Sequence, residues 1–537
     1  MPKFTLNDQE IEAKDGQTII QAAQDAGIDI PHYCYHPDLP IDGNCRMCLV
    51  EVEKMPKLTP SCTTIATEAM VVRSNNERVK DAVRGVLEFL LINHPVDCPV
   101  CDQAGECRLQ DYYMVYGLHT SEIPLELKVR KRKVVDLGSM VVLDQERCVL
   151  CSRCIRFFEH VTGTGEMQFF GRGDHVAIGT CDDRPLDNPY SGNVVDICPV
   201  GALTSRDFRF KCRVWFLHST DSVCAGCSTG CNVRIDHRDG TIFRLLPRRN
   251  VEVNQSWLCD EGRLSFHELR GGERVVRPMI KGRDGIQAPV TWEDAVRSID
   301  ARLKEVREAS GAGSLLGFAS PSATNEALFL FKRYLSHELG ATQFDFRVDS
   351  EDKNVAEQED QVLRRSDKHP NSMGAMKLGL ISAELGGIEG AIKAAREGQI
   401  KAGIVIYLNP LVGRPGDEEA ERRVRDLIER LEYSVVLATH KAEWHAAASV
   451  VLPVAAWSEE EGTYTNFQGR VQFAGKAIEP GGDALPLWEV FAMLLHATGA
   501  QSPWMAPGEV FASMAENEKA YRGLAPRQTR LPGVVVE

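Results

Sequence analysis

The distribution of cysteine constrains this chain more than any other feature of its sequence. All 17 cysteines of the 537 residues lie between Cys34 and Cys259, in short and fixed spacings. The first residues lack the basic and apolar pattern of a signal peptide, so we expect synthesis and residence in the cytosol. Disulfides are rare in that compartment, and clustered cysteines there indicate metal thiolate sites.

Composition narrows the class of protein further. The chain is 43% hydrophobic and 26% charged, with a mean hydropathy of −0.23, as expected for a soluble globular protein of several domains. No stretch approaches the ~18 consecutive apolar residues of a membrane span. The formal net charge of −14 argues against a nucleic-acid partner, because phosphate binding needs an excess of Lys and Arg on one face.

The first group of cysteines follows two short alternating strands and a helix from about Thr18 to Ala26. Its spacing is C-x10-C-x2-C-x13-C, and Gly43 permits a close backbone approach to a buried cluster. This is the plant-type ferredoxin pattern with a longer first gap, which favours a [2Fe–2S] centre in a β-grasp fold over zinc. The candidate ligands are Cys34, Cys45, Cys48 and Cys62.

The second group combines one histidine with three cysteines, in the spacing H-x3-C-x2-C-x5-C. It follows an apolar helical run from Val83 to Ile92. Three cysteines leave one position of a four-ligand cluster open. An adjacent imidazole can fill that position and raise the potential by removing negative charge. The candidate ligands of a [4Fe–4S] cluster are His94, Cys98, Cys101 and Cys107.

The third group begins with the C-x2-C-x2-C run that binds three corners of a [4Fe–4S] cube. Position 158 is Phe, so the fourth corner is assigned to Cys198, which lies in a Cys-Pro element and is separated from Cys154 by 43 residues. Cys181 is the first substitute for that corner; otherwise we expect Cys181 and Cys212 to bind no metal. The candidate ligands are Cys148, Cys151, Cys154 and Cys198.

The fourth group has the spacing C-x2-C-x3-C-x27-C, which could also describe a zinc knuckle. Alternating strand patterns from Asn232 to Leu246 and the three preceding groups favour another [4Fe–4S] cluster. The candidate ligands are Cys224, Cys227, Cys231 and Cys259.

In this order the four groups resemble the large iron–sulfur subunit of respiratory complex I, known in bacterial NADH:quinone oxidoreductase as the G subunit. The resemblance covers nearly the whole chain. It implies a relay of single electrons from a flavin-bearing, NADH-oxidising subunit towards quinone, with the fourth cluster off the main path. Other peripheral-arm iron–sulfur subunits would be partners, with indirect contact to the membrane arm. The implied location is the cytoplasmic side of the bacterial inner membrane.

The remainder of the chain resembles a reduced molybdopterin oxidoreductase domain. Residues 314–320 and 404–409 read as strands, and a helix is predicted from about Asn325 to Leu339, which gives an α/β domain with a mainly parallel sheet. Segments 449–456 and 461–470 resemble the family's segment near the pterin pocket. No cysteine follows Cys259 to bind molybdenum or tungsten, and the polar stretch 349–371 resembles a shortened connection. We therefore expect no molybdenum cofactor.

The predicted fold class is multidomain, α+β and α/β. The expected domains are a [2Fe–2S] ferredoxin-type domain at 1–80, a [4Fe–4S] module with one histidine ligand at 81–120, a [4Fe–4S] ferredoxin-like module at 140–210, a [4Fe–4S] domain of molybdopterin-oxidoreductase type at 217–273, and the α/β domain at 274–537.

The sequence lacks the motifs of hydride or nucleotide chemistry. Neither G-x-G-x-x-G between a strand and a helix nor G-x-x-x-x-G-K-[ST] occurs, so we expect no catalytic residue here and assign the hydride step to a partner. His32, His36 and His160 lie near the cysteine groups, where an ordinary hydrogen-bonded role is favoured over coupling of protons to electrons.

Three alternatives stay open at this point. A catalytic subunit of an NAD-linked formate dehydrogenase usually has two ferredoxin clusters and a metal-binding Cys or selenocysteine. An iron-only hydrogenase needs further cysteines near its C-terminus. A scaffold that holds zinc in place of iron is the alternative without redox activity.

Overall fold

The computed structural model describes residues 1–117, 123–348, 359–408, 417–500 and 503–536. It divides into two compact units, Met1–Leu217 and His218–Glu537. The first three cysteine sets fall in the first unit, and the fourth set falls in the second.

The first unit begins with a five-stranded sheet and a helix. Their bounds are β1 Lys3–Leu6, β2 Gln9–Glu12, α1 Ile19–Asp25, β3 Leu49–Val52, β4 Thr59–Pro60 and β5 Val71–Arg73. The strands lie in the order β2-β1-β5-β3-β4, and only β1 and β5 are parallel. The Thr18 N–H donates to Gln21 Oε1 at 2.9 Å and fixes the start of α1. Cys48 and Cys62 lie in the core that α1 and the sheet enclose.

Two helices flank the second cysteine set, α2 Glu77–Leu91 and α3 Arg108–Tyr116. The Asn76 side chain caps α2 by accepting the Val79 N–H at 3.0 Å. Val79, Val83 and Leu87 lie four residues apart and form the buried face. The helix thus begins before the apolar run read from the sequence, because its first turn is held by a polar cap.

The third cysteine set lies in a module of short elements. These are β6 Val135–Asp136, β7 Val141–Leu143, α4 Arg153–His160, β8 Met167–Phe170, β9 Ala177–Thr180, α5 Asn193–Asp196 and β10 Leu203–Ser205. Strands β10, β7 and β6 form an antiparallel sheet in that order, and β8 pairs with β9 as a separate hairpin. The insertion between Cys154 and Cys198 is therefore made of α4, this hairpin and α5.

The second unit begins with an antiparallel sheet around the fourth cysteine set. Its elements are β11 His218–Val223, β12 Asn232–Arg238, β13 Thr241–Pro247 and α6 Asp260–Leu264. Three cysteines lie in the connection from β11 to β12, and Cys259 immediately precedes α6. The strands confirm the alternation read between Asn232 and Leu246.

A seven-stranded sheet forms the core of the remainder. Its elements and the helices around it are β14 Met279–Lys281, β15 Gln287–Pro289, α7 Trp292–Ser310, β16 Leu315–Phe318, α8 Asn325–Lys332, β17 Gln343–Asp345, α9 Ser372–Lys377, α10 Gly387–Arg396, β18 Ala402–Tyr407, α11 Asp417–Arg430, β19 Tyr433–Ala438, β20 Val450–Pro453, α12 Leu487–Ala497 and α13 Pro507–Asn517. The order is β15-β14-β20-β19-β18-β16-β17, and the five strands from β20 to β17 are parallel. This confirms the predicted α/β domain.

Alternate side chains of the central strands enter two different cores. Ile404 and Ile406 pack with α7, α8 and α12, whereas Val405 packs on the opposite face with α10 and α11. Helices therefore cover both faces of a parallel sheet, as such sheets require. The predicted strand 404–409 begins at Ala402 instead, and Asn409 lies outside the described residues.

A small sheet of β21 Gly462–Thr465, β22 Arg470–Ala474 and β23 Val534–Val535 completes the second unit. The helix predicted to Leu339 continues beyond α8 as a π-helical turn, Arg333–Glu338. Residues 349–358 of the predicted shortened connection lie outside the described part of the chain. None of the helices in the described ranges is long and apolar enough to cross a membrane.

Candidate metal centres

The four cysteines of the first set contact one another in a continuous series, in which Cys62 hydrogen-bonds to both Cys34 and Cys48. The Cys34 N–H donates to Cys45 Sγ at 3.4 Å. A hydrogen bond from the Cys45 side chain lowers the pKa of the Cys34 thiol, and one from Cys62 lowers the pKa of Cys48 to about 7. Gly43 has a φ of 70°, so the loop turns where a side chain would be strained. Four thiols in mutual contact provide the four thiolate ligands that a [2Fe–2S] cluster requires.

The second set lies between α2 and α3. Cys98 begins a short 3-10 turn, Cys101 ends it, and Cys107 immediately precedes α3. Cys101 and Cys107 are buried, whereas Cys98 is half-buried. Burial raises the pKa of Cys107 to about 11. The three thiols lie close enough to one another to interact electrostatically, as a shared metal site requires.

His94 is positioned at the end of α2. The Lys128 ammonium donates to its carbonyl oxygen at 2.8 Å and to that of Leu91 at 3.0 Å, a favourable place for a cation at a helix C-terminus. Its Nδ1 accepts the Val96 N–H at 3.1 Å, and burial lowers the pKa of the ring to about 4. A neutral ring with this partner carries its proton on Nε2. Iron binding through Nε2 would therefore require the proton to move to Nδ1 and the Val96 bond to open.

The third set surrounds a small cavity in front of α4. Four of its lining residues are Cys148, Cys151, Cys154 and Cys198. Leu150 and Ser152 have φ values of 52° and 61°, so the backbone winds tightly between the first cysteines. The Leu150 N–H donates to Cys148 Sγ at 3.4 Å. The structure thus brings Cys198 to the other three, across the long insertion.

The fourth set also surrounds a small cavity. It is lined by Cys224, Cys227, Cys231 and Cys259. The Gly226 N–H donates to Cys224 Sγ at 3.4 Å, and the Gly262 N–H donates to Cys259 Sγ at 3.3 Å. A Cβ at Gly262 would lie 2.9 Å from Cys224 Sγ and 3.3 Å from Cys259 Sγ. Glycine at this position lets α6 begin directly against two sulfurs.

The donor sets fit a metal cluster. Burial raises the pKa of Cys148, Cys198 and Cys259 to about 12, so these thiols would hold negative charge only beside a cation. Backbone N–H groups already point at several of the sulfurs. In the described ranges no three Cys, His, Asp or Glu side chains converge on a single ion. Buried thiols with backbone N–H groups directed at them are the kind of donor set that iron–sulfur clusters use.

Direct contacts join the second set to the third. The Arg108 N–H, next to Cys107, donates to the carbonyl of Pro199, next to Cys198, at 3.0 Å. A Cβ at Gly201 would overlap the sulfur of Cys101. The loop that ends the third set therefore also packs on the second.

Direct contacts also join the first set to the third. The Arg156 guanidinium donates to the carbonyl oxygens of Cys34 and Cys151. The Asn44 side chain donates to the Leu150 carbonyl at 3.5 Å. All three sets are thus held within one compact unit by contacts between their own loops.

The unassigned cysteines and histidines have ordinary partners. Cys181 Sγ contacts the Gly165 carbonyl at 3.7 Å, and Cys212 Sγ contacts that of Arg213 at 3.5 Å. The ring Nδ1 of His32 lies 2.7 Å from the Ile30 carbonyl. His36 Nδ1 accepts the Asp38 N–H at 3.2 Å, and His160 lies beside Glu159 at 3.7 Å on the surface. Their roles stay predictions.

The C-terminal domain has a cavity at the carboxyl ends of its parallel strands, where α/β sheets usually bind ligands. Its lining includes Ser322, Thr439, His440, Trp457 and Glu460. Burial raises the pKa of Glu460 to about 8 and that of the neighbouring Glu326 to about 7. The sequence analysis did not single out these glutamates, because only long-range packing buries them.

Sequence reasoning also missed Arg153 and Arg156 of the third set. Both side chains are buried, at 9% and 7% exposure. The sequence could have predicted the burial of Arg153, because this residue lies inside the C-x2-C-x2-C run and cannot easily reach solvent beside a buried cluster.

Family models match five parts of the chain. They are described as the 2Fe-2S iron-sulfur cluster binding domain at residues 2–77, the NADH-ubiquinone oxidoreductase-G iron-sulfur binding region at 84–122, the ferredoxin-like domain of NADH-quinone oxidoreductase subunit 3 at 138–204, the NDSU1/NuoG-like 4Fe-4S domain of NADH-ubiquinone oxidoreductase at 217–267, and the molybdopterin oxidoreductase at 274–376 and 367–497. The predicted fold class is confirmed.

Curated relatives carry names that agree with these domains. The NADH-quinone oxidoreductase G subunit of Rickettsia bellii is 40% identical over 65% of this chain and 51% of its own length. The NADH-ubiquinone oxidoreductase 75 kDa subunit of Reclinomonas americana is 41% identical over 67% of this chain and 51% of its own length. The chain thus spans about half the length of these relatives.

Among solved structures, an NAD+-reducing [NiFe]-hydrogenase in the H2-reduced state is 30% identical over 40% of this chain and 91% of its own. Its TM-score of 0.36 is too low to indicate a shared overall fold.

The chain is homologous to the large iron–sulfur subunit of complex I and has iron–sulfur domains of that type, as predicted. The formate dehydrogenase alternative is not favoured.

Proposed function

We propose that this chain, a homologue of the large iron–sulfur subunit, is the electron-transfer subunit of an NADH:quinone oxidoreductase, respiratory complex I. It would relay single electrons from a flavin-bearing, NADH-oxidising subunit towards quinone. The observation that carries this proposal is the joining of three cysteine sets within one compact unit by direct contacts between their loops. Closely spaced redox centres are what single-electron relay requires.

The proposed ligands follow the four sets. One [2Fe–2S] cluster would be held by Cys34, Cys45, Cys48 and Cys62. Three [4Fe–4S] clusters would be held by His94, Cys98, Cys101 and Cys107; by Cys148, Cys151, Cys154 and Cys198; and by Cys224, Cys227, Cys231 and Cys259. When bound, such clusters accept and donate one electron at a time.

The protein's own groups hold and tune these centres. Backbone N–H groups directed at Cys148, Cys224 and Cys259 would stabilise thiolate and cluster charge. Burial would keep water away from the fourth set and from Cys151 and Cys154 of the third. The sequence has no nicotinamide-binding motif, so we assign the hydride step to the partner subunit.

The C-terminal domain would serve as a scaffold without a molybdenum cofactor. No cysteine follows Cys259, and the cavity at the ends of the parallel strands has no thiol in its lining. Buried glutamates of raised pKa lie there instead. These features support a structural role for the domain.

The proposed partners are the NADH-oxidising subunit and other peripheral-arm iron–sulfur subunits, with indirect contact to the membrane arm. The proposed location is the cytoplasmic side of a bacterial inner membrane. Nucleic acid is not among the proposed partners, given the net charge of −14.

Metal analysis of anaerobically purified protein tests this proposal first. One [2Fe–2S] and three [4Fe–4S] clusters predict about 14 iron atoms per chain, with no molybdenum or tungsten. Stoichiometric molybdenum or tungsten would favour chemistry of the formate dehydrogenase class. Zinc in place of iron in a colourless preparation would refute an electron relay.

A cysteine variant tests the relay itself. Cys101→Ala in the assembled complex should abolish NADH:quinone activity, because it removes a ligand from the set that contacts the third. Cys181→Ala is the matched control and should leave turnover and all cluster signals unchanged. Unchanged turnover in Cys101→Ala would place the second cluster off the electron path.

A further inference from the structure

Two buried arginines lie between the first and third cysteine sets. Arg153 and Arg156 occupy the first turn of α4, directly after Ser152, and their exposures are 9% and 7%. Arginine is almost always charged, and burying a charge is costly unless an opposite charge compensates it. The identity of that opposite charge decides what the two side chains do.

The contacts of Arg156 run to both sets. It donates to the carbonyl oxygens of Pro40 and Cys34 on the side of the first set. On the side of the third set it donates to the Cys151 carbonyl at 3.3 Å and to Ser152 Oγ at 2.9 Å. Every one of these acceptors is neutral.

The contacts of Arg153 follow the same pattern. Its guanidinium donates to the Ile197 carbonyl at 3.0 Å, next to Cys198, and to the carbonyl of Tyr35, next to Cys34. Its Nε is buried and has no hydrogen-bond partner. Within the described ranges neither Arg153 nor Arg156 forms an ion pair with a carboxylate. The Asp42 carboxylate is exposed and bonds to Ser152 rather than to either arginine.

Arg147, which precedes the third set, shows the contrast. It is also buried, but it forms ion pairs with Asp97 at 2.9 Å and with Asp144 at 2.7 Å. Its charge is therefore balanced within the protein. Among the residues that the structure describes, carboxylates pair with Arg147 but with neither Arg153 nor Arg156.

Cysteine sulfurs of both sets lie near Arg153 and Arg156 and can carry negative charge. Arg153 interacts electrostatically with Cys151 and Cys198 of the third set and with Cys34 of the first. Arg156 interacts in the same way with Cys151. Thiolates bound to iron are negative, so they would supply the missing charge for both arginines.

We propose that Arg153 and Arg156 act as a shared counter-charge for the clusters of the first and third sets and raise the reduction potentials of both. The proposal rests on the proposed function, since it requires iron–sulfur clusters at these two sets. Each reduction adds one negative charge to a cluster, and a nearby buried cation favours that charge. Net charge and hydrogen bonding are general determinants of cluster potential.

Removing one of these positive charges should make both clusters harder to reduce. We expect Arg156→Gln to shift the oxidised-to-reduced ratio of each by about tenfold at a fixed ambient potential, which corresponds to about 59 mV for one electron. Arg153→Gln should act in the same direction on both. Arg153→Lys and Arg156→Lys keep the charge and should stay close to the wild-type potentials.

The experiment is a potentiometric titration of the complete, cluster-loaded chain, followed by electron paramagnetic resonance. The fourth cluster lies in the other unit and serves as an internal reference. Arg206→Gln is the matched control, because Arg206 is exposed in the same unit and pairs with Asp136. Its potentials should equal those of the wild type.

The outcomes separate this inference from the function on which it rests. Absence of the first and third cluster signals in the wild type would refute the proposed function. Wild-type potentials in both Gln variants, with clusters present, would refute the counter-charge alone. If the Gln variants lose their clusters, the Lys variants decide: potentials that fall by about 59 mV, a tenfold change in the oxidised-to-reduced ratio, despite the retained charge would overturn the proposal.

Discussion

Gly201→Ala should remove the second cluster while leaving the other three in place. Gly201 lies in the loop after Cys198, yet a Cβ at this position would overlap the sulfur of Cys101 in the second set. Its φ is not in the left-handed region, so alanine would fit the backbone and add only one methyl group. The substitution is therefore a steric probe of one cysteine sulfur.

The expected magnitude follows from the contact distance. Heavy atoms in ordinary contact lie about 3.5–4.0 Å apart, so the sulfur would have to retreat by about 1 Å. Metal–ligand distances tolerate only about 0.2 Å. The Cys101 backbone cannot follow easily, because its carbonyl accepts the Arg213 guanidinium at 2.5 Å and its N–H donates to Cys98 at 3.1 Å. Should the sulfur stay in place, overpacking would cost about 1–3 kcal/mol.

Iron content and electron paramagnetic resonance of the reduced protein provide the assay. The iron content should fall from about 14 to about 10 atoms per chain, with the loss confined to the second cluster. Gly85→Ala is the control, because Gly85 lies within α2 and a Cβ there meets nothing within 4 Å. A full iron complement with an unchanged second signal in Gly201→Ala would refute either the contact or the assignment of Cys101 as a ligand.

Two further predictions concern the second unit. Gly262→Ala should remove the fourth cluster alone, because its Cβ would lie 2.9 Å from Cys224 Sγ; a retained fourth signal in resonance spectra would contradict this. Burial raises the pKa of Glu460 to about 8. The folded state therefore keeps a proton that glutamate in the unfolded chain, with a pKa of about 4.3, has already released. The contribution of this proton to the free energy of unfolding is complete below about pH 4.3. It decreases by about 1.4 kcal/mol per pH unit above that pH and is lost as the pH rises through about 8. Glu460→Gln should flatten the fall in melting temperature between about pH 5.5 and 8, whereas an unchanged slope by calorimetry would refute the buried proton.

The sequence predicted what depends on local spacing. The pattern from Asn232 to Leu246 gave two strands, and the alternation of Ile404, Val405 and Ile406 corresponds to two faces of a parallel sheet. The cysteine sets were grouped by spacing, and the structure brings the third set together around one cavity. Motifs of this kind are readable because their partners lie a few residues apart, or because one residue type is scarce elsewhere.

What could not be predicted depends on contacts between distant residues. Nothing in the spacing of Cys101 indicates that Gly201 packs on its sulfur. The start of α2 was missed because its first turn is held by the Asn76 cap rather than by apolar residues. Glu460 resembles a surface residue in an acidic segment, and only the packing of the C-terminal domain buries it.

Two segments of the third set contact the other two sets of the first unit, one segment for each set. Its early loop places Arg153 and Arg156 against the carbonyls of the first set, and its Cys198 loop places Pro199 and Gly201 against the second. The hairpin and α5 between these ends form the long insertion. An electron relay through three sets needs fixed distances at two junctions. In the proposed relay, one ferredoxin-like module would set the distances at both junctions.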